Sequence, residues 1–174
     1  MNYTRHFSLL TAFAALTCVL SRLSFPASLS VAFALYGALH STALVLSFPV
    51  PPPFGRSGLF IATAAVLSAT MLHLGILGMH WSARMPGGLG TYVVLGFASA
   101  SGAVTYGILI HIFRLNRLTA ATLSTICLGC VSVSCLALFT LTLFPFLGPW
   151  WLAIFWWYAF SAGLWVCHRR QDGH

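Results

Sequence analysis

The sequence predicts an all-α, polytopic integral membrane protein, built as a six-transmembrane-helix bundle. Three observations predict it. Of the 174 residues, 59% are hydrophobic and 5% are charged, whereas a water-soluble domain carries about a quarter charged residues of mixed sign. A single acidic side chain, Asp172, stands in the whole chain, and lysine is absent. The apolar residues fall into six long runs, each ended by proline, glycine or arginine. Such a chain cannot cover a water-facing surface, so the solvent it implies is the lipid bilayer.

The runs are 7–21, 27–49, 57–79, 89–113, 118–143 and 149–167, read as one transmembrane domain over residues 1–174. A spanning helix needs about 20 apolar residues, and the runs are continuous. The strands of a β-barrel would instead alternate over segments of about ten. The first run follows Arg5 and has the basic and apolar parts of a signal peptide; it is expected to be kept as a slightly short helix. Pro26 separates runs one and two, and Pro51, Pro52 and Pro53 with Gly55 and Arg56 separate two and three. Arg84, Pro86, Gly87 and Gly88 precede run four. Arg114, Asn116 and Arg117 divide runs four and five, and Pro145, Gly148 and Pro149 divide the last two. Proline fixes φ and lacks an N–H, so these clusters stop helices.

Arginine placement sets the orientation. Six crossings put Arg5, Arg56, Arg114, Arg117, Arg169 and Arg170 on one side and Arg22 and Arg84 on the other. The richer side is cytoplasmic by the positive-inside rule, which places both termini in the cytoplasm and the protein in a cell inner membrane. The net charge of +7 is thus spread over segment ends. It forms no basic patch that would neutralise phosphates, so nucleic acid is not an expected partner.

Aromatic and small residues refine the bundle. Trp81 and Tyr92 flank the outer loop between the third and fourth runs, and Trp150, Trp151, Trp156, Trp157 and Tyr158 crowd the start of the sixth. Amphipathic rings favour the membrane interface, so this group reads first as an anchoring belt and second as a flat wall for a hydrophobic ring. The fourth run carries Gly96, Ala98, Ser99, Ala100, Ser101, Gly102, Ala103, Thr105 and Gly107. The fifth carries Thr122, Ser124, Thr125, Gly129, Ser132 and Ser134. Small residues let helices approach closely in lipid, which puts these two runs at the bundle centre or at a subunit contact.

Histidine is the one type inside the runs whose ordinary pKa lies near neutral pH, and an intramembrane ionisable residue marks a functional candidate. His40 and His111 are candidates for a polar interior. His73 and His80 lie seven residues apart on one helix face, about 10 Å apart in depth. Imidazole both donates and accepts, so the two suit a quinone carbonyl or hydroxyl. Trp81 and Trp150 join them as the candidate aromatic wall. His6, His168 and His174 are expected to be solvated near the inner face. His111, His40 and His73 differ in depth, so a bis-histidine haem is not expected. Cys127, Cys130 and Cys135 lie within an apolar helix with no lysine or acid to lower a thiol pKa. They read as small hydrophobes, and no metal site is expected. Ser101-Gly102 lacks a mid-span histidine in run six to act as base, which removes a serine-protease reading.

The stretch Leu67-Ser68-Ala69-Thr70-Met71-Leu72-His73-Leu74-Gly75 resembles the Ala-Ser-x-Leu-His-Leu-Gly motif in the membrane anchor subunits of dimethyl-sulfoxide-reductase-type enzymes. Phe144-Pro145 and Gly148-Pro149-Trp150 resemble that family's outer Pro–Trp segment, so the likeness runs over about residues 56–160. It implies a subunit that anchors a larger membrane oxidoreductase, takes menaquinol or ubiquinol at His73, and passes electrons to an iron–sulfur partner. The family usually has eight spans, and this chain offers six. A different class of function, an oligomeric small-solute channel lined by Ser, Thr and His, is also compatible with the runs. So is a structural accessory subunit with no ligand.

The arginine pattern makes a direct prediction. In a chain whose native cysteines are replaced by alanine, Arg114→Cys and Arg170→Cys react with a membrane-impermeant maleimide from the same face, and Arg84→Cys from the opposite one. Labelling of positions 114 and 170 from opposite faces removes the six-span topology.

Overall fold

The computed structural model describes residues 2–23, 29–48, 52–82, 84, 89–115, 118–144 and 150–172. Among them every regular element is a helix: α1 (Tyr3–Leu23), α2 (Leu29–Leu46), α3 (Phe54–Ser82), α4 (Leu89–Ile112), α5 (Ala120–Leu143) and α6 (Trp150–Asp172). Three of them, α3, α4 and α5, are long and apolar enough to cross a membrane, with mean hydropathies of 1.9, 1.8 and 2.3.

Local chemistry sets the ends. The Asn2 side chain caps α1, its Oδ1 accepting from Arg5 N at 3.0 Å, which is why α1 starts four residues before the expected apolar run. Thr119 caps α5 by accepting from Thr122 N at 3.2 Å. After α4 the chain closes a Schellman turn: Leu115 N donates to Ile110 O at 3.0 Å and Arg114 N to His111 O at 2.9 Å. The residue in the left-handed position is Arg114, at φ 53°, where glycine is the usual occupant. The proline clusters expected to stop helices fall mostly at 26, 51, 86, 145 and 149, outside the described residues.

The chain divides into two compact units. The first comprises Met1–His73 with Leu109–Leu115, and the second Leu74–Ile108 with Asn116–His174. In the first, α2 is packed on both sides. Towards α3 the approach is very close: a Cβ at Gly37 would lie 2.7 Å from the Ala64 carbonyl oxygen and would overlap Ser68 Oγ. Phe60 of α3 is fully buried, and Phe113, just past α4, meets it edge-on at 5.5 Å between centroids.

In the second unit, the small residues of α4 receive α5 and α6. Ser99 Oγ donates to Ser134 Oγ of α5 at 2.7 Å, and Trp156 Nε1 of α6 donates to the Ser99 carbonyl at 3.3 Å. The Trp156 ring lies over Gly102, where an added Cβ would stand 3.4 Å from Cζ2. Tyr106 meets Trp157 and Phe160 edge-on at 5.2 and 5.0 Å. The small-residue stripe of α4 therefore serves packing at the centre of this unit. Two indoles of the expected aromatic belt take part in this packing. Trp157 is buried and Trp156 is turned into the α4 groove, because a stripe of Gly, Ser and Ala leaves room for indole rings. The side chain of Trp150 lies outside the described residues.

Close approach at Gly37 carries a consequence. Gly37→Ala forces its methyl against the backbone of α3 and is expected to destabilise the chain by about 1–3 kcal/mol, read as a lower midpoint of thermal unfolding in detergent. Gly55, with open space around it, is the control: Gly55→Ala leaves the midpoint unchanged or raises it.

Candidate functional site

In the first unit, α1 and α2 meet through faces that carry hydrogen-bonding side chains. On α1 the buried positions His6, Leu10 and Thr17, with Phe13, follow the spacing i, i+4, i+7, i+11. On α2 the buried positions Tyr36, His40, Ala43 and Ser47 follow the same spacing. Residues so spaced share a helix face, and the two faces meet in an antiparallel seam. Thr17 stands beside Tyr36 at one end, and Asn2 N donates to Ser47 O at 2.9 Å at the other.

Two histidines meet in this seam. His6 is fully buried and His40 is 2% exposed. Their ring centroids are 5.9 Å apart with planes at 82°, edge to face. His6 Nδ1 lies 3.1 Å from Ser47 Oγ. The Ser47 hydroxyl donates to the Ala43 carbonyl. A hydroxyl has one proton to give, so its oxygen is placed to accept from His6 Nδ1–H, and the Ala43 carbonyl takes a hydrogen bond from the same ring. This corrects the expectation that His6 is solvated near the inner face: capping by Asn2 brings residue 6 inside the helix and turns it onto α2. His40 is buried with the His6 ring as its neighbour.

The other sequence candidates are placed as follows. His73 is exposed, and its Nε2 lies 2.8 Å from Ser30 Oγ of α2. His80 is exposed and its Nδ1 donates to the Ile76 carbonyl one turn back at 3.0 Å. Trp81 is 70% exposed. His111 is exposed at the end of α4. The structure therefore joins His73 to Ser30 and His40 to His6. His73 belongs to the first unit, and His80 and Trp81 to the second. His168 and His174 lie outside the described side chains.

The cysteines of α5 behave as packing groups. Cys130 is fully buried, and Cys127 Sγ points to the Ala100 carbonyl at 3.8 Å. Among the described residues no three His, Cys, Asp or Glu side chains gather as a metal set would require. Sequence reasoning missed His6 and Ser30. Both carry a signal, His6 in the spacing it shares with Thr17 and Ser30 in its place on the helix that packs beside His73. Neither signal names its partner.

No family model, no curated protein and no solved structure matches this chain. Function is therefore argued from the residues themselves.

The Ser47 link is testable. Ser47→Ala removes one acceptor beside a buried imidazole N–H and is expected to cost about 0.6–1.7 kcal/mol, seen as a lower unfolding midpoint in detergent. Ser47→Thr keeps the hydroxyl and retains most of the stability.

Proposed function

We propose that all six helices cross the bilayer of a cell inner membrane with both termini cytoplasmic, and that the chain is an integral subunit anchoring a larger oxidoreductase and handling its quinol. The length of the helices supports six crossings. α2, with 18 residues, is the shortest, and at 1.5 Å per residue it reaches about 27 Å, close to a hydrocarbon core of about 30 Å. The arginines at the loop ends supply the orientation.

The observation that carries the functional reading is the Ser30–His73 pair. A histidine on the outer surface of an apolar helix is costly against lipid tails, and at this place it is held by a hydroxyl at 2.8 Å. A serine hydroxyl donates to Nε2 or accepts from it, so the ring can present Nδ1 as donor or as acceptor. The first form suits a quinone carbonyl and the second a quinol hydroxyl. An exposed position lets a bilayer-dissolved quinone, menaquinone or ubiquinone, reach the pair sideways. The likeness of residues 67–75 to the anchor-subunit motif points to the same histidine. With no carboxylate in the spans, histidine is the side chain able to take the proton that quinol oxidation releases. Electrons then pass to a partner subunit of the iron–sulfur class.

The test is quinol oxidation by the assembly purified gently from its native membrane. His73→Ala is expected to lower the rate by about a hundredfold, and Ser30→Ala by about 5–10-fold. An unchanged rate in His73→Ala overturns the assignment. A colourless homomer with no companions overturns the reading of an oxidoreductase subunit.

A further inference from the structure

The first unit brings two arginines to neighbouring helix ends. Phe60 and Phe113 meet edge-on at 5.5 Å between centroids, which sets the end of α4 beside the first turns of α3. Arg56 stands four residues before Phe60, one turn along α3 and about 6 Å away in depth. Arg114 directly follows Phe113, and both arginines are exposed. A third exposed cation, Arg5, lies near the same level. Asn2 N donates to Ser47 O at 2.9 Å, so α1 begins where α2 ends. α2 and α3 run antiparallel, with Ser30 against His73 and Gly37 against Ala64. Ten residues on from Gly37 and ten back from Ala64 lie Ser47 and Phe54, so α3 begins at that level too.

The surface around Arg56 and Arg114 is open and two-part. Gly55 and Gly58 flank Arg56, and an added Cβ at either would meet nothing within 4 Å. Deeper along the two helices, Leu59 is 61% exposed and Ile112 64%. Arg114 also keeps its place against its backbone preference. Its φ of 53° is one that glycine adopts freely, and a residue held in such a conformation points to a use for its side chain.

Cations at the helix ends with exposed apolar side chains beneath them repeat the order of a phospholipid, phosphate above and acyl chains below. The chain carries eight arginines against one acidic side chain, so the charge complement at hand in a bilayer is an anionic headgroup. We propose that Arg56 and Arg114 hold the phosphodiester of an anionic phospholipid between the start of α3 and the end of α4, with its acyl chains along Leu59 and Ile112. Each guanidinium offers a planar fork of donors that matches phosphate oxygens, and Arg5 adds to the field at this rim. The leaflet is the cytoplasmic one by the topology proposed above, while the binding itself is independent of sidedness and of quinol handling at His73.

The test uses the full chain in an uncharged detergent and reads its thermal unfolding midpoint against added lipid. Phosphatidylglycerol is expected to raise the midpoint saturably. Phosphatidylcholine with the same acyl chains, and inorganic phosphate, leave it in place. Arg114→Gly removes the charge and supplies the residue that the turn favours. Its lipid-free midpoint therefore holds or rises, while half-saturation moves to about fivefold more phosphatidylglycerol. Arg56→Gln shifts half-saturation by a similar factor, and Arg84→Gln, past the far end of α3, leaves it unchanged. The proposal is overturned if phosphatidylcholine acts as strongly as phosphatidylglycerol, or if inorganic phosphate alone reproduces the rise. It is equally overturned if Arg56→Gln or Arg114→Gly responds to phosphatidylglycerol as the parent does, or if Arg84→Gln loses as much as they do.

Discussion

Hydrocarbon offers no hydrogen bonds, so each polar group in an apolar helix must find its partner within the protein. The hydroxyls of this chain show how the constraint is met. Thr63, Thr70, Ser124, Thr125 and Thr140 each donate to the carbonyl four residues earlier, at 2.8–3.0 Å. These side chains serve themselves and place no demand on a neighbour. A second set reaches across: Ser99 to Ser134, Ser47 to His6, Ser30 to His73. Interhelical bonds of this kind are worth about 0.6 kcal/mol each in a membrane. Their weight lies in fixing which faces meet, since apolar side chains gain little by leaving lipid for one another.

Packing in the two units follows one rule from different residues. α4 offers a strip of Gly, Ser and Ala into which Trp156 and its neighbours fit. α2 offers Gly37, against which α3 lies almost backbone to backbone. In each case contact depends on a missing side chain on one helix and a filled volume on the other, the arrangement that replaces hydrophobic burial as the drive to associate.

The helices were largely legible in the sequence because proline, glycine and arginine mark their ends. The expected run 89–113 became Leu89–Ile112, and 118–143 became Ala120–Leu143. Differences arose where local chemistry overrides hydropathy. Asn2 caps α1 and draws it back to Tyr3. α6 continues to Asp172 through His168, Arg169 and Arg170, polar residues with cations that suit the negative end of a helix. The candidate site was legible in part. Residue type and depth single out His40 and His73. Their partners, His6 and Ser30, stand 34 and 43 residues away, and periodicity along one helix carries no information about the next. The placement of Trp156 and Trp157 shows the same limit: composition names the indoles, and only the groove on α4 shows what they pack against.

The turn after α4 spends conformational energy on a charge. Holding Arg114 at φ 53° costs about 1 kcal/mol relative to glycine. What is retained is an exposed guanidinium at the tip of the turn that ends α4. During biogenesis such a tip resists being pulled through a bilayer, at about 2.5–3.5 kcal/mol for an arginine at mid-depth. α4 therefore ends on a residue that opposes its own passage into hydrocarbon, and the stop is built into the turn itself.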